Sequence, residues 1–149
     1  MPAASIKKII PCKKKDLIEM ILDIEKYPEF VPWCLNGKIH KKEEKDDIIE
    51  MVADLTVGKK FLNQTYTSHV TYYKEKDKII VNNIGGPLKH LSNEWLIKEI
   101  NNQSEINFKI DFEIKNIVYN MIMTKSFDKG LRNIADAFEQ RAIKLFNQT

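Results

Sequence analysis

The most reactive side chains in the sequence are three histidines and two cysteines, and their spacing matches no catalytic or metal site. His40, His69 and His90 are scattered, and none has a nucleophile and an orienting acid at short spacing. Cys12 and Cys34 lack the spacing of a zinc site and are too few for a disulfide framework. We therefore expect two buried or partly buried thiols in a reducing cytosol, no metal ligand and no catalytic residue.

Two hydroxyl residues are more informative, because they lie on the buried side of a strand pattern. Tyr66 and Ser68 share their alternation with Val70, which predicts that both point towards the core. A buried hydroxyl needs a hydrogen-bond partner. A carbonyl of a bound ligand, a backbone group or a water would each serve.

The elements that must position these residues are strands in the middle of the chain. From Lys38 to Ile114 apolar residues tend to recur at every second position, with polar turns at 43–47, 58–60, 75–78 and 101–104. Such alternation predicts an antiparallel meander with one buried and one wet face. The clearest inward rows are Ile49, Met51, Ala53, Leu55, Val57 and Ile106, Phe108, Ile110, Phe112, Ile114. Ala53 is the one small residue in the first row, which predicts space opposite its side chain.

The N-terminal part predicts a strand over Ser5–Ile10 and an amphipathic helix over Lys14–Ile24. The segment from Tyr27 to Cys34 holds two prolines, which exclude a long helix there. We expect a short helical turn and a loop crowded with aromatic residues.

After Asn116 the apolar period becomes helical and predicts one helix over 117–146, about 45 Å long. This helix is long enough to cover the apolar face of the sheet. Gly130 is the expected point of bending or close approach. The apolar positions of the helix are Met121, Ile122, Phe127, Leu131, Ile134, Phe138, Ala142 and Leu145.

Composition predicts a single globular domain over 1–149, with 43% hydrophobic and 30% charged residues. Its apolar runs are too short for a transmembrane helix or a signal-peptide core. The net charge of +3 comes from acids and bases mixed along the chain. Only Arg132 and Arg141 are arginines, and this argues against a dedicated DNA-binding protein.

The segment 23–34, DIEKYPEFVPWC, resembles a signature of the coenzyme Q-binding START-domain family. Further resemblances follow in the expected order over nearly the whole chain, with Leu88 in place of an expected aromatic. Where the family often has a proline at the start of the long helix, this chain has Asn116-Ile117. The supporting segments are 61–70 (FLNQTYTSHV), 86–88 (GPL), 91–95 (LSNEW) and 137–142 (AFEQRA).

The resemblance implies an α+β helix-grip fold, also described as START-like or Bet v 1-like, in which a curved antiparallel sheet wraps around a long C-terminal helix. It implies non-catalytic binding of an isoprenoid quinone, with ubiquinone expected, in support of respiratory electron transport. Such a protein would be cytoplasmic, with transient contact to the inner-membrane surface. A branch of the family implies an alternative, a toxin that binds the large ribosomal subunit and blocks subunit association. A polyketide cyclase-like enzyme is a weaker alternative.

The candidate ligand-binding residues combine the inward strand positions, the aromatic segment and the inner side of the long helix. Apolar alternation also marks any packed core, so the ligand role comes from the resemblance. The aromatic segment is interpreted as a lid or a membrane-touching lip, or else as a loop packed on a helix end. The candidates are Tyr27, Phe30, Val31, Trp33, Met51, Ala53, Leu55, Val57, Tyr66, Ser68, Val70, Trp95, Phe108, Ile110, Phe112, Leu131, Ile134 and Phe138.

Overall fold

A computed structural model describes residues 3–59, 62–86 and 88–146. The elements, in chain order, are β1 Ala3–Ile10, α1 Lys14–Leu22, a 3-10 helix Ile24–Glu29, β2 Cys34–Glu44, β3 Ile48–Lys59, β4 Leu62–Tyr73, β5 Lys78–Gly85, β6 Leu88–Ile100, β7 Gln103–Ile114 and α2 Ile117–Phe146.

Within the described residues, the strands form one curved seven-stranded sheet in the order β1-β7-β6-β5-β4-β3-β2. Every neighbouring pair is antiparallel. The meander runs from β2 to β7, and β1 pairs with β7 at the far edge. The α+β helix-grip fold expected from the sequence is therefore confirmed, and α2 spans the residues predicted for it.

The inner face of the sheet carries the core because its side chains alternate as the sequence indicates. Met51, Ala53, Val70, Trp95 and Phe108 are all buried in one continuous cluster. From α2, Leu131, Phe138 and Ala142 join this cluster, and other members come from α1. The alternation thus predicted correctly which face of β3, β4 and β7 is covered.

Several strands extend into the turns expected at 43–47, 58–60 and 75–78, and β1 begins at Ala3 rather than Ser5. Three further boundaries also differ from the sequence-based expectations. Strand β2 begins at Cys34 rather than near Lys38, because the chain enters the sheet directly from the aromatic segment. Helix α1 ends at Leu22 and not at Ile24, since the 3-10 helix starts at Ile24. Ser104 was expected in a turn but belongs to β7.

The early start of β7 follows from a two-residue turn. Asn101 and Asn102 both have positive φ, 49° and 67°, as the tight hairpin turn between two twisted strands requires. Ser104 is then fully buried, and its hydroxyl donates a hydrogen bond of 2.8 Å to the Cys12 carbonyl. This bond ties the β6–β7 hairpin to the segment before α1.

Some of the sequence predictions concern residues outside those described. Phe61 and Pro87, which belong to two of the family-like segments, are among them. The side chains of Ile122 and Phe127, expected on the apolar side of α2, are likewise outside the description.

The 3-10 helix lies directly on β2, and Gly37 makes this contact possible. A Cβ atom at Gly37 would overlap the Ile24 carbonyl oxygen, which belongs to the backbone and cannot rotate away. Glu25 supports the contact, because its carboxylate accepts a 3.0 Å hydrogen bond from the Ile39 amide. The position of the aromatic segment therefore depends on a glycine in the facing strand.

We expect Gly37→Ala to lower the free energy of unfolding by about 1–3 kcal/mol or more, because overpacking against backbone forces the two elements apart. Gly85→Ala is the matched control, since a Cβ there would meet only the Thr67 side chain at 3.8 Å. Urea unfolding midpoints measure both. Equal midpoints for the two variants would contradict the close approach at Gly37.

Candidate ligand-binding site

The structure brings most of the predicted site residues together on the inner face of the sheet and on the facing side of α2. Seven of them lie in the buried core cluster, namely Met51, Ala53, Val70, Trp95, Phe108, Leu131 and Phe138. Six pack against that cluster and are partly buried, namely Tyr27, Phe30, Val31, Leu55, Ile110 and Ile134. Ser68 and Phe112 are buried as well.

The remaining three predicted residues are less enclosed. Val57 and Tyr66 are half-buried near the end of the sheet where α2 begins. Trp33 is 37% exposed and has a positive φ of 62°. Its ring lies against Gly130 of α2, where an added Cβ would come within 3.3 Å. The close approach predicted for Gly130 is therefore confirmed, and Trp33 is its partner.

Phe138 is the centre of an aromatic cluster that holds α2 in place. Its ring meets the rings of Tyr27, Phe30 and Trp95 edge-on, with centroid distances of 5.6, 5.1 and 5.2 Å. Trp95 in turn meets Phe108 at 4.6 Å. The cluster joins α2, the aromatic segment and the two strands β6 and β7.

Ion pairs reinforce the same half of α2. Lys8 of β1 lies 2.9 Å from a carboxylate oxygen of Asp136 and 3.4 Å from one of Glu139. Arg141 donates a 2.8 Å hydrogen bond to Glu29, and its guanidinium lies over the Phe30 ring. The Arg141 hydrogen bond holds the pKa of Glu29 below its usual value.

In the first turns of α2, the described apolar side chains are exposed to solvent. Ile117, Val118 and Met121 are 76%, 63% and 58% exposed. The expectation that Met121 and Leu145 belong to the buried stripe was wrong, because among the side chains that the structure describes the stripe meets the core only from Leu131 to Ala142. Among the side chains that the structure describes, the contacts that anchor α2 therefore lie in its C-terminal half.

Where the described side chains of α2 meet the sheet, from Leu131 onwards, the interior is closely packed. One apolar void of about 10 Å³ lies there, the space of about one water molecule. A larger space of about 140 Å³ lies between α1, the 3-10 helix and the end of α2. Neither has room for an isoprenoid lipid, and Ala53 lines neither of them. The small void is lined by Ile6, Trp95, Ile106, Phe108, Leu131, Ile134 and Ala135.

The inner face also carries polar groups. Ser68 is 5% exposed, and its hydroxyl oxygen has no hydrogen-bond partner among the described residues. Asn93, which the sequence reasoning missed, is also buried; its amide donates a 2.9 Å hydrogen bond to the Lys109 carbonyl and accepts one from the Trp95 indole. Its position two residues before the inward Trp95 was the signal that could have revealed it.

Two tyrosines and a cysteine near the aromatic segment stay neutral at physiological pH. Burial raises the pKa of Tyr66 to about 12, with a smaller contribution from nearby Cys34. Burial also raises the pKa of Tyr27, whose hydroxyl donates a hydrogen bond to the Ile21 carbonyl. The pKa of the Cys34 thiol is raised by burial too. This region offers neutral hydroxyl and thiol groups rather than a base or a thiolate.

The clearest polar constellation on the outer face does not have the arrangement of a catalytic triad. The Asp54 carboxylate lies 2.8 Å from His40 and accepts a 2.6 Å hydrogen bond from Thr67. These contacts, with Thr67 contributing most, hold the pKa of Asp54 below its usual value. In a triad the histidine stands between acid and nucleophile, whereas here the carboxylate stands in the middle.

The described residues contain no group of three or more His, Cys, Asp or Glu side chains that could hold a metal ion. Among the described helices, none combines the length and the apolar composition needed to cross a membrane.

Residues 12–139 match the family model described as polyketide cyclase / dehydrase and lipid transport. The chain belongs to this family. The description covers cyclases, dehydrases and lipid carriers, so membership sets the fold and leaves the choice between chemistry and binding to the residues of the individual protein. The START-like assignment made from the DIEKYPEFVPWC segment is confirmed at the level of the superfamily.

Curated relatives match over nearly the full length. The ribosome association toxin RatA of Rickettsia prowazekii is 29% identical over 91% of this chain and 92% of that protein. The protein of the same name from Escherichia coli K12 is 24% identical over 99% of this chain and 90% of its own length.

Solved structures show the same fold. The 18 kDa protein CC1736 of Caulobacter crescentus superimposes with a TM-score of 0.81 at 25% identity, covering 99% of this chain and 100% of that one. The Zhui aromatase/cyclase from a Streptomyces species reaches 0.73 at 14% identity, with 95% and 93% covered. Since the second is an enzyme by its name, the fold alone does not decide whether this chain catalyses a reaction.

Replacing Phe138 by Ala should cost about 3–5 kcal/mol of unfolding free energy, because the ring is 2% exposed and touches three other aromatic rings. Phe146→Ala, at the end of the same helix and 39% exposed, serves as the control and should cost under about 1 kcal/mol. Urea unfolding measures the difference. Similar losses for both variants would mean that α2 is not anchored through Phe138.

Proposed function

We propose that this protein binds a lipid-like apolar molecule between α2 and the inner face of the sheet, without catalysing a reaction on it. The observation that carries this proposal is the uneven anchoring of α2. Its C-terminal half is fixed by the Phe138 cluster and the ion pairs of Lys8 and Arg141, whereas its first turn exposes Ile117 and Val118. The helix can separate from the sheet at one end while the core stays intact.

Around the described C-terminal half of α2, the void of about 10 Å³ is too small for a lipid. A ligand that binds there replaces contacts between α2 and the apolar strand rows. Exchanging one apolar contact for another changes the free energy little, which makes such replacement feasible. Trp33 and Ile117, both exposed, belong to the segments through which a ligand would enter from a membrane surface.

Ubiquinone is the ligand we propose, in support of respiratory electron transport. An isoprenoid quinone is neutral and mostly apolar, and the inner face offers apolar rows with a few neutral hydrogen-bonding groups. The neutral state of Tyr27, Tyr66 and Cys34 supports binding over acid–base or nucleophilic chemistry. A protein loaded in this way would work in the cytoplasm and contact the inner membrane transiently.

Protein purified from a quinone-producing host should carry ubiquinone, detected by solvent extraction and mass spectrometry. Added to the delipidated protein, ubiquinone at a hundredfold excess over Kd should stabilise the fold by about 2.7 kcal/mol. A protein that contains no lipid and whose melting temperature does not respond to ubiquinone would contradict the proposal. The melting temperature with an equal concentration of carrier detergent is the control.

A second candidate function is inhibition of ribosomal subunit association. Full-length similarity to proteins named ribosome association toxin, from several bacteria, is the observation that favours it. Exposed lysines such as Lys13, Lys15 and Lys42 provide cations for contact with phosphates. This function would use the outer surface, so it is compatible with a ligand inside.

If the second function holds, the protein will co-sediment with large ribosomal subunits at low salt and dissociate as salt rises, because phosphate contacts release counterions. The small subunit is the control and should not pellet the protein. Absence of co-sedimentation with large subunits at low salt would exclude this function. Comparing lipid-free with ubiquinone-loaded protein shows whether the two functions are coupled.

A further inference from the structure

Ser68 is a buried polar residue on the inner face of the sheet. Its backbone register places it directly opposite Ala53 of β3 and Asn83 of β5. Its side chain is nine-tenths or more buried, yet its hydroxyl oxygen has no partner among the described residues. A buried polar group without a hydrogen bond is costly and rare in native proteins, so this hydroxyl calls for an explanation.

The strand neighbours of Ser68 that the structure describes on the inner face are apolar or neutral. Val70 and Tyr66 are its neighbours on the same face of β4, and Met51 and Leu55 flank Ala53 on β3. Asn83 adds a buried amide oxygen on the opposite strand. Ser68 and Asn83 therefore form a small polar patch beside apolar side chains.

Charged groups that reach the interior are elsewhere and already paired. Lys8 lies on β1, four strands away from β4, or about 19 Å at the usual spacing of strands. It is engaged with Asp136 and Glu139. Arg141 is engaged with Glu29 beside the aromatic segment. Among the described residues, none near Ser68 could neutralise a buried carboxylate or phosphate.

We infer that the Ser68 hydroxyl is the hydrogen-bonding site for a single oxygen of the bound lipid, and that it selects neutral lipids bearing a carbonyl or hydroxyl. This inference rests on the proposed lipid-binding function and specifies its ligand class. A pure hydrocarbon would leave the hydroxyl unpartnered. A fatty acid or phospholipid would bring a charge into a region where the described residues offer no counter-charge, which is strongly unfavourable.

The test compares three probes of matched chain length on the full-length, delipidated protein: decylubiquinone, decylbenzene and decanoate. Wild type should bind decylubiquinone most tightly and decanoate most weakly. Ser68→Ala should weaken decylubiquinone binding about 3- to 10-fold, the loss expected for one hydrogen bond, and leave decylbenzene binding unchanged. Isothermal titration gives the dissociation constants.

Thr71→Val is the matched control, since Thr71 is a 6% exposed hydroxyl residue of the same strand, at a position of opposite alternation. It should alter none of the three affinities. The ligand-free urea midpoint of Ser68→Ala should equal or exceed that of wild type, because the removed hydroxyl lacks a partner. A merely structural Ser68 would instead lower the midpoint and leave the affinities unchanged.

The outcomes separate the two levels of the hypothesis. Decylubiquinone binding that is equal in wild type and Ser68→Ala overturns the inference, and so does decanoate binding as tight as decylubiquinone binding. In both cases the lipid-binding function survives. If wild type binds none of the three probes, the proposed function fails and the inference fails with it.

Discussion

The packing of Phe138 against Tyr27, Phe30 and Trp95 is the contact on which the other features depend. It is the point where the long helix, the aromatic segment and the centre of the sheet meet. A sheet with one apolar face is unstable in water until something covers that face. Here α2 provides much of the cover, together with Leu17 and Ile21 of α1, and this group of rings holds α2 over the strands.

Anchoring a long helix near one end has consequences for the rest of it. The contacts of Lys8 and Arg141 lie on the same half of α2 as Phe138, so electrostatic and apolar contacts reinforce each other there. Towards the first turn the helix presents apolar side chains to solvent. The description of the family to which the chain belongs includes lipid transport, and anchoring at one end is the feature on which the proposed binding of a lipid depends.

Much of the fold could be predicted from the sequence, because its strands alternate cleanly and its last helix is long and uninterrupted. The rows containing Met51 and Phe108 were assigned to the correct face, and the bounds of α2 were predicted. Short-range patterns do not report where neighbouring elements meet, so the early start of β2 at Cys34 was missed. The exposure of Met121 was missed for the same reason, since it depends on which part of the helix the sheet reaches.

The site was predicted less completely than the fold. The alternation of inward and outward positions correctly placed Ser68 among apolar residues. Alternation cannot, however, distinguish a filled core from a cavity. Ala53 illustrates this limit, because a small side chain leaves space only if nothing else fills it, and Ala53 lies in the packed core. Asn93 was overlooked because its amide bonds to the Lys109 carbonyl on the neighbouring strand and to the Trp95 indole, and alternation alone does not report these partners.

Strand β2 forms the edge of the sheet, and its composition bears on how the molecule behaves among its own copies. Its second half carries the exposed charges of Lys41, Lys42, Glu43 and Glu44, and its pairing with β3 shifts register between Ile39 and Lys41. The unpaired backbone groups of an edge strand can hydrogen-bond to a strand of another molecule. Charged side chains and an irregular register make such pairing unfavourable. The sheet is thereby protected from growing into an intermolecular β-structure when the protein accumulates at high concentration.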